Sequence, residues 1–67
     1  METDKIRKKC KKLMVDLDLD TRGGQKKISS ELGIEKTSLN FALTGVRSSQ
    51  AYYDILDRVH SYLMNLT

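Results

Sequence analysis

Proline and tryptophan are absent from this 67-residue sequence, and cysteine and histidine occur once each, as Cys10 and His60. A lone cysteine excludes an intramolecular disulfide and favours a reducing compartment, so we expect a cytoplasmic protein. Zinc and iron sites need three or four such ligands, which predicts no metal site and no cofactor. No apolar run exceeds three residues, so neither a membrane-spanning segment nor a secretion signal is expected.

The length and composition favour one small helical domain spanning residues 1–67. Hydrophobic residues make up 39% of the chain and charged residues 31%, as in compact helical proteins. A chain this short buries roughly 60% of its unfolded surface and leaves little room for a catalytic cleft. We find no carboxylate pair, no nucleophile beside a base and no phosphate-binding loop, so we expect neither an enzyme nor a small-molecule substrate.

The net charge of +3 is modest, but the charges are unevenly distributed. Six cations occupy eight consecutive positions near the start of the chain: Lys5, Arg7, Lys8, Lys9, Lys11 and Lys12. An acidic cluster of Asp16, Asp18 and Asp20 follows. We interpret the basic run as the solvated face of the first helix. Cys10 lies on that helix's apolar stripe and is expected to be a core residue, whereas His60 is expected to be structural or solvated.

Apolar spacing predicts four helices, at about 3–17, 25–32, 36–43 and 50–66, in an all-α domain of four or five helices. Thr3 is a candidate N-cap for the first helix, and Ser48 or Ser49 for the last. The glycines in 20–24 predict a loop before the second helix. Gly33 and Gly45 stand where helices commonly end.

Residues 25–44 also satisfy the demands of a helix-turn-helix, in which two short helices meet at a tight turn and share a few inward side chains. The predicted core of this motif consists of Ile28, Ser29, Leu32, Gly33, Ile34, Leu39 and Ala42. Ser29 would be the small residue at the helix crossing, with its hydroxyl bonded back to its own helix.

The segment QKKISSELGIEKTSLNFALTG, residues 25–45, resembles the helix-turn-helix of the Cro and phage-repressor (XRE-like) family, and the following Val46 and Arg47 extend the likeness. The resemblance covers roughly residues 20–60. It implies a transcriptional regulator of phage or mobile-element type that binds operator DNA, usually as a dimer, with the second helix of the motif in the major groove.

This resemblance also implies roles for individual residues. Those facing the groove would be Glu35, Lys36, Thr37, Asn40, Phe41 and Thr44. Phosphate contacts would come from Gln25, Lys26, Lys27 and Arg47. An asparagine such as Asn40 can pair with adenine through two hydrogen bonds, and Lys36 can donate to guanine or phosphate. Phe41 departs from the usual polar pattern, and could contact a thymine methyl or anchor a protein partner.

Two questions about partners stay open at this point. The stripe of the last helix offers a possible partner or dimer surface at Tyr52, Tyr53, Leu56 and Tyr62, in addition to its role in the core. An alternative function is that of an antirepressor, which would use the same fold to bind a repressor protein. The low net charge, Glu35 and Phe41 favour that alternative.

Overall fold

The two terminal helices, α1 (Glu2–Asp16) and α4 (Gln50–Leu66), pack against each other over the most extensive helix–helix contact of the fold. The computed structural model describes residues 2–46 and 49–67. Within those ranges α2 (Arg22–Leu32) and α3 (Lys36–Thr44) complete a compact four-helix arrangement without strands. The predicted all-helical class is therefore confirmed. α3 packs on α4 and α1, and α2 packs on α3 and α4.

One hydrophobic core joins all four helices. Its buried members are Cys10, Met14, Ile28, Ile34, Leu39, Ala42, Leu43, Leu56, Val59 and Leu63. They recur at three- and four-residue spacing within the helices, which places them on one face of each. The predicted burial of Ile28, Ile34, Leu39 and Ala42 is confirmed, and so is the prediction that Cys10 is a core residue.

The beginning of α1 differs from the prediction. Thr3 was expected to cap the helix, but it lies inside α1 and is buried. Arg7 also departs from expectation, because it is buried although the basic run was predicted to be solvated. The lysines of that run, Lys5, Lys8, Lys9, Lys11 and Lys12, are exposed as predicted.

The second helix begins three residues earlier than predicted, at Arg22, and includes both glycines that were assigned to a loop. Thr21 is its N-cap, and the Thr21 side chain accepts a hydrogen bond from the Gly24 amide at 3.2 Å. Gly24 is buried, and a Cβ at this position would lie 2.1 Å from the carbonyl oxygen of Leu19. The glycine therefore serves a close approach between the helix and the preceding loop.

The connection between α2 and α3 is formed by residues 33–35. Gly33 adopts the left-handed conformation with φ 65°, and its amide donates to the carbonyl of Ser29. Ile34 follows directly and is buried in the core, as predicted. The left-handed glycine ends α2, while the inserted isoleucine holds the connection against the core.

Glycine also ends α3. Gly45 has φ 81°, and its amide donates to the carbonyl of Phe41 at 3.1 Å. Ser49 is the N-cap residue of α4, without a side-chain capping bond, and its carbonyl accepts from the Tyr52 and Tyr53 amides. The alternative cap, Ser48, lies outside the described residues. No helix in the described part of the chain is long and apolar enough to cross a membrane.

Candidate functional site

A shallow cleft of about 330 Å³ opens between α2 and α3. α2 contributes residues spaced three and four apart, and α3 contributes residues at its first, second and fifth helical positions. Each set therefore lies along one side of its helix. The lining residues, called the α2–α3 cleft below, are Arg22, Gln25, Lys26, Lys36, Thr37 and Asn40.

The cleft is electropositive. Arg22, Lys26 and Lys36 supply three cations, and no acidic residue lines it. Neither α2 nor α3 has an acidic residue in its first turn, where the helix dipole adds partial positive charge. The three cations are exposed, as are Thr37 and Asn40, while Gln25 is half-buried. This arrangement offers ammonium, guanidinium, amide and hydroxyl groups to a polyanion.

Five of the predicted contact residues thus line one cleft together with Arg22, whereas the others lie apart: the five are Gln25, Lys26, Lys36, Thr37 and Asn40. Glu35 is the exposed N-cap residue of α3, Lys27 is exposed on α2, and Thr44 is exposed in the last turn of α3. None of these three lines the cleft. Arg47 lies outside the described residues.

Phe41 is half-buried rather than fully displayed on the outer face of α3. Its carbonyl accepts from the amide of Gly45 at 3.1 Å and from the hydroxyl of Thr44 at 3.4 Å. Phe41 does not line the α2–α3 cleft. Phe41 is therefore only partly exposed as an apolar contact beside the polar residues of α3.

Sequence reasoning missed Arg22 as a site residue. It was assigned to the loop because two glycines follow it, yet it is the first residue of α2 and faces the cleft with Lys26 four positions later. Thr21 could have indicated the earlier start of α2, because threonine is a common N-cap residue. An N-cap side chain accepts a hydrogen bond from an amide two or three residues later, here that of Gly24.

Two members of the predicted motif core differ from expectation. Ser29 is half-buried, and its hydroxyl donates to the carbonyl of Ile34 across the turn rather than to its own helix. Leu32 is also half-buried, although it packs against the core. Its carbonyl accepts from the Nη2 atom of Arg58 on α4 at 2.7 Å.

Arg7, like Arg58, lies outside the cleft and donates to the backbone of a helix that lines it, in this case α3. Arg7 of α1 is 8% exposed, and its Nε atom donates to the carbonyl of Ala42 in α3 at 2.8 Å. Its Nη1 atom donates to the carboxylate of Asp4. The guanidinium also lies against Gly45, where a Cβ would be 3.3 Å from the Arg7 Cζ atom. Neither Arg7 nor Arg58 lines the α2–α3 cleft.

The predicted partner surface on α4 needs one correction. Leu56 is completely buried in the core and is unavailable to a partner. Tyr52 and Tyr62 are half-buried and pack against the core. Tyr53 is half-buried beside Lys5, Asp57 and His60 in a groove between α1 and α4.

Cys10 has no access to solvent, and its thiol donates to the carbonyl of Leu56 at 3.3 Å. Burial, reinforced by the negative charge of Asp57, raises the pKa of Cys10 to about 11. A neutral buried thiol is a poor nucleophile and a poor metal ligand. Within residues 2–46 and 49–67, no three His, Cys, Asp or Glu side chains are grouped so as to hold a metal ion.

Comparison of the chain with models of protein families, with curated proteins and with solved structures found no significant match.

Proposed function

We propose that this protein binds duplex DNA as a Cro-like transcriptional regulator, with α3 in the major groove. The observation that carries the proposal is the α2–α3 cleft, in which three cations, Thr37 and Asn40 meet without an opposing carboxylate. Phosphates attract such a cluster, and the amide and hydroxyl groups can read base edges. The left-handed Gly33 between two short helices supports a helix-turn-helix interpretation of residues 25–44.

The dimensions of α3 suit the proposed docking. An α-helix with its side chains is about 10–12 Å in diameter, which fits a major groove about 12 Å wide, and the nine residues of α3 make a short segment of about 13 Å that can lie in it. Lys36, Thr37 and Asn40 lie on the side of α3 that faces the cleft, so they would enter the groove together. Arg22 and Lys26 on α2 would bind the phosphates at its edge, with Lys27 beside them.

A second candidate is binding to a repressor protein, as an antirepressor. Val46 is 67% exposed and follows Gly45, the C-cap of α3, while the exposed Glu35 is the N-cap residue of the same helix. An apolar residue and a carboxylate at the two ends of the same helix suit a protein surface better than a row of phosphates. The half-buried Phe41 contributes less to this candidate than its sequence position suggested.

Selection from a pool of random duplexes tests the first proposal. We expect enrichment of a defined sequence, and we expect Asn40→Ala to relax the choice at one base at a cost of about 1–3 kcal/mol. Asn65→Ala is the matched control, because Asn65 is exposed near the end of α4 and outside the cleft. If Asn40→Ala and Asn65→Ala lost the same affinity and base preference, Asn40 would not contact a base.

Salt dependence tests the phosphate contacts separately. If roughly five or six phosphates are bound, log affinity should fall with log salt at a slope near −5. Lys26→Gln should reduce that slope by about one unit on every sequence, while Lys12→Gln, an exposed lysine of α1, should leave it unchanged. A flat response, with no enriched duplex but retention of a repressor protein, favours the second candidate.

A further inference from the structure

Two arginines hold the helices that form the α2–α3 cleft, and they come from the two helices that do not line it. Arg7 of α1 donates to the Ala42 carbonyl of α3, and Arg58 of α4 donates to the Leu32 carbonyl of α2. Both carbonyls belong to the last turn of their helix, where backbone acceptors lack an intrahelical donor. A guanidinium there also opposes the negative end of the helix dipole.

We propose that Arg7 and Arg58 are positioning residues that fix α3 and α2 on the α1–α4 scaffold, so that the residues of the cleft meet in one orientation. For its effect on DNA recognition this inference rests on the proposed function. The anchoring itself is independent of any ligand.

The length of the helices explains why they need anchors. α2 has eleven residues and α3 has nine, whereas isolated helices shorter than about 12–15 residues are marginal in water. Their orientation must therefore come from tertiary contacts. Apolar packing of Leu39, Ala42 and Leu43 buries one side of α3, but hydrophobic contact has little directional preference. A hydrogen bond from a charged donor adds the missing direction.

Arg7 is the more constrained of the two anchors. It is 8% exposed, is held by the carboxylate of Asp4 and lies against the backbone of Gly45. Its Nε atom therefore approaches the Ala42 carbonyl from a fixed direction. Arg58 is exposed and has more freedom, so the larger effect on orientation is expected from Arg7.

Backbone residual dipolar couplings of the labelled full chain test the anchoring. We expect Arg7→Met to change the orientation of α3 relative to α4, with the internal couplings of α1 and α4 preserved. Arg58→Met should reorient α2 in the same manner and by a smaller angle. Lys12→Met is the control, because it removes one charge from an exposed position of α1 about 140° around the helix from Arg7. Unchanged α2 and α3 orientations in both arginine variants would overturn the proposal.

Arg7→Lys keeps the experiment decisive if Arg7→Met does not fold. Lysine retains a charged donor but lacks the planar guanidinium that contacts Asp4 and Ala42 together. If both variants fold, we expect a smaller reorientation of α3 in Arg7→Lys than in Arg7→Met. If Arg7→Met is unfolded, we expect Arg7→Lys to fold with α3 displaced. A folded Arg7→Lys chain with the wild-type α3 orientation would contradict a directional role for the guanidinium.

The DNA measurement uses the duplex enriched by the wild-type protein and a shuffled duplex of equal composition. We expect Arg7→Met to reduce the affinity ratio of the two duplexes about tenfold, equivalent to one lost base contact. The salt slope should stay unchanged, since Arg7 does not line the cleft. An unaltered ratio in a chain with a displaced α3 would overturn the link to recognition. Failure of the wild-type protein to bind any duplex would refute the proposed function, while the couplings still decide the anchoring.

Discussion

Asp18 holds a backbone conformation that normally favours glycine. Its φ is 58°, and no other non-glycine residue in the described ranges has a positive φ. The conformation ends α1, because it brings the amide of Leu19 back to the carbonyl of Met14 at 2.6 Å. An aspartate also places a negative charge at the negative end of the helix dipole. Both effects act against the folded state.

Asp18→Gly is therefore expected to raise the free energy of unfolding by about 1 kcal/mol, through relief of the left-handed backbone and removal of the charge. Urea denaturation followed by circular dichroism measures the change. Asp20→Gly is the matched control. It removes the same charge two residues later at a position without positive φ, and it should leave stability equal or lower. A gain of equal size in both variants would assign the effect to charge alone.

Cys10 predicts a loss of stability at alkaline pH. Its pKa is raised from 9.0 to about 11 in the folded protein, so the folded state retains the thiol proton after the unfolded chain has released it. The contribution of Cys10 is complete below pH 9 and is lost as pH rises towards 11. Each unit of difference between the two pKa values corresponds to about 1.4 kcal/mol.

Urea denaturation between pH 8 and about 11 tests this effect by comparison with Cys10→Ala. The variant should be less stable at pH 8, because it leaves a cavity, but should lose stability less steeply as pH rises. All other groups are the same in both proteins, so the difference between the two slopes reports on Cys10. Parallel slopes would mean that the thiol ionises equally in the folded and unfolded states.

At the scale of elements, the start of α2 depends on one of its two adjacent glycines. A Cβ on Gly24 would lie 2.1 Å from the carbonyl oxygen of Leu19, whereas a Cβ on Gly23 would meet only the Thr21 hydroxyl, at 3.8 Å. Gly23→Ala is expected to raise the free energy of unfolding by about 0.5–1 kcal/mol, because alanine restricts the unfolded chain. Gly24→Ala should lower it by more than about 2 kcal/mol, since the backbone of the loop must move.

Thermal unfolding of Gly23→Ala and Gly24→Ala measures the difference in stability between the two positions, because both variants carry the same substitution. If both variants were stabilised, Gly24 would not be required for the contact between the loop and α2. If both were destabilised, the first turn of α2 would need two flexible residues rather than one close approach.

The glycines of the chain show which features of the fold could be predicted from the sequence and which could not. Periodic apolar residues predicted four helices, and the left-handed positions of Gly33 and Gly45 follow from their places after apolar periods. Gly24 was assigned to a loop because adjacent glycines are typical of turns, whereas its role in the structure is a close contact with Leu19, which residue propensity does not reveal. Turn chemistry between α2 and α3 can be read from residue types, whereas the approach of Leu19 to Gly24 depends on the path of the 17–21 loop.

The candidate site divides in the same way. Exposure of Lys36, Thr37 and Asn40 followed from their spacing relative to the buried Leu39 and Ala42 on a single helix. Their meeting with Arg22 across a cleft required the packing of two helices. Charge patterning also gave no indication that Arg7 differs from the lysines around it, because its burial is created by Ala42 and Gly45, 35 or more residues away in the chain.

At the scale of the whole molecule, the distribution of charge is more informative than the net charge of +3. The α2–α3 cleft contains three cations and no acid, whereas the groove between α1 and α4 mixes Lys5 and Lys9 with Asp57. A polyanion should therefore prefer the cleft. Because the cleft needs four packed helices to form, only the folded chain presents it, and ligand binding and folding should be linked.

Under the proposed function, duplex DNA should stabilise the fold. At a free duplex concentration one hundred times the Kd, the free energy of unfolding should rise by about 2.7 kcal/mol, which corresponds to a thermal midpoint higher by roughly 15–20 °C for a domain of this size. A hairpin duplex that melts above the protein allows the measurement by circular dichroism at 222 nm. The increase should shrink in high salt, because added salt lowers the gain from counterion release and so weakens binding.

Lys26→Gln should lower the increase in midpoint at fixed duplex concentration, while Lys12→Gln should preserve it, because Lys12 lies on α1 away from the cleft. A midpoint that is insensitive to duplex in low salt would mean that the cations of the cleft serve a partner other than DNA.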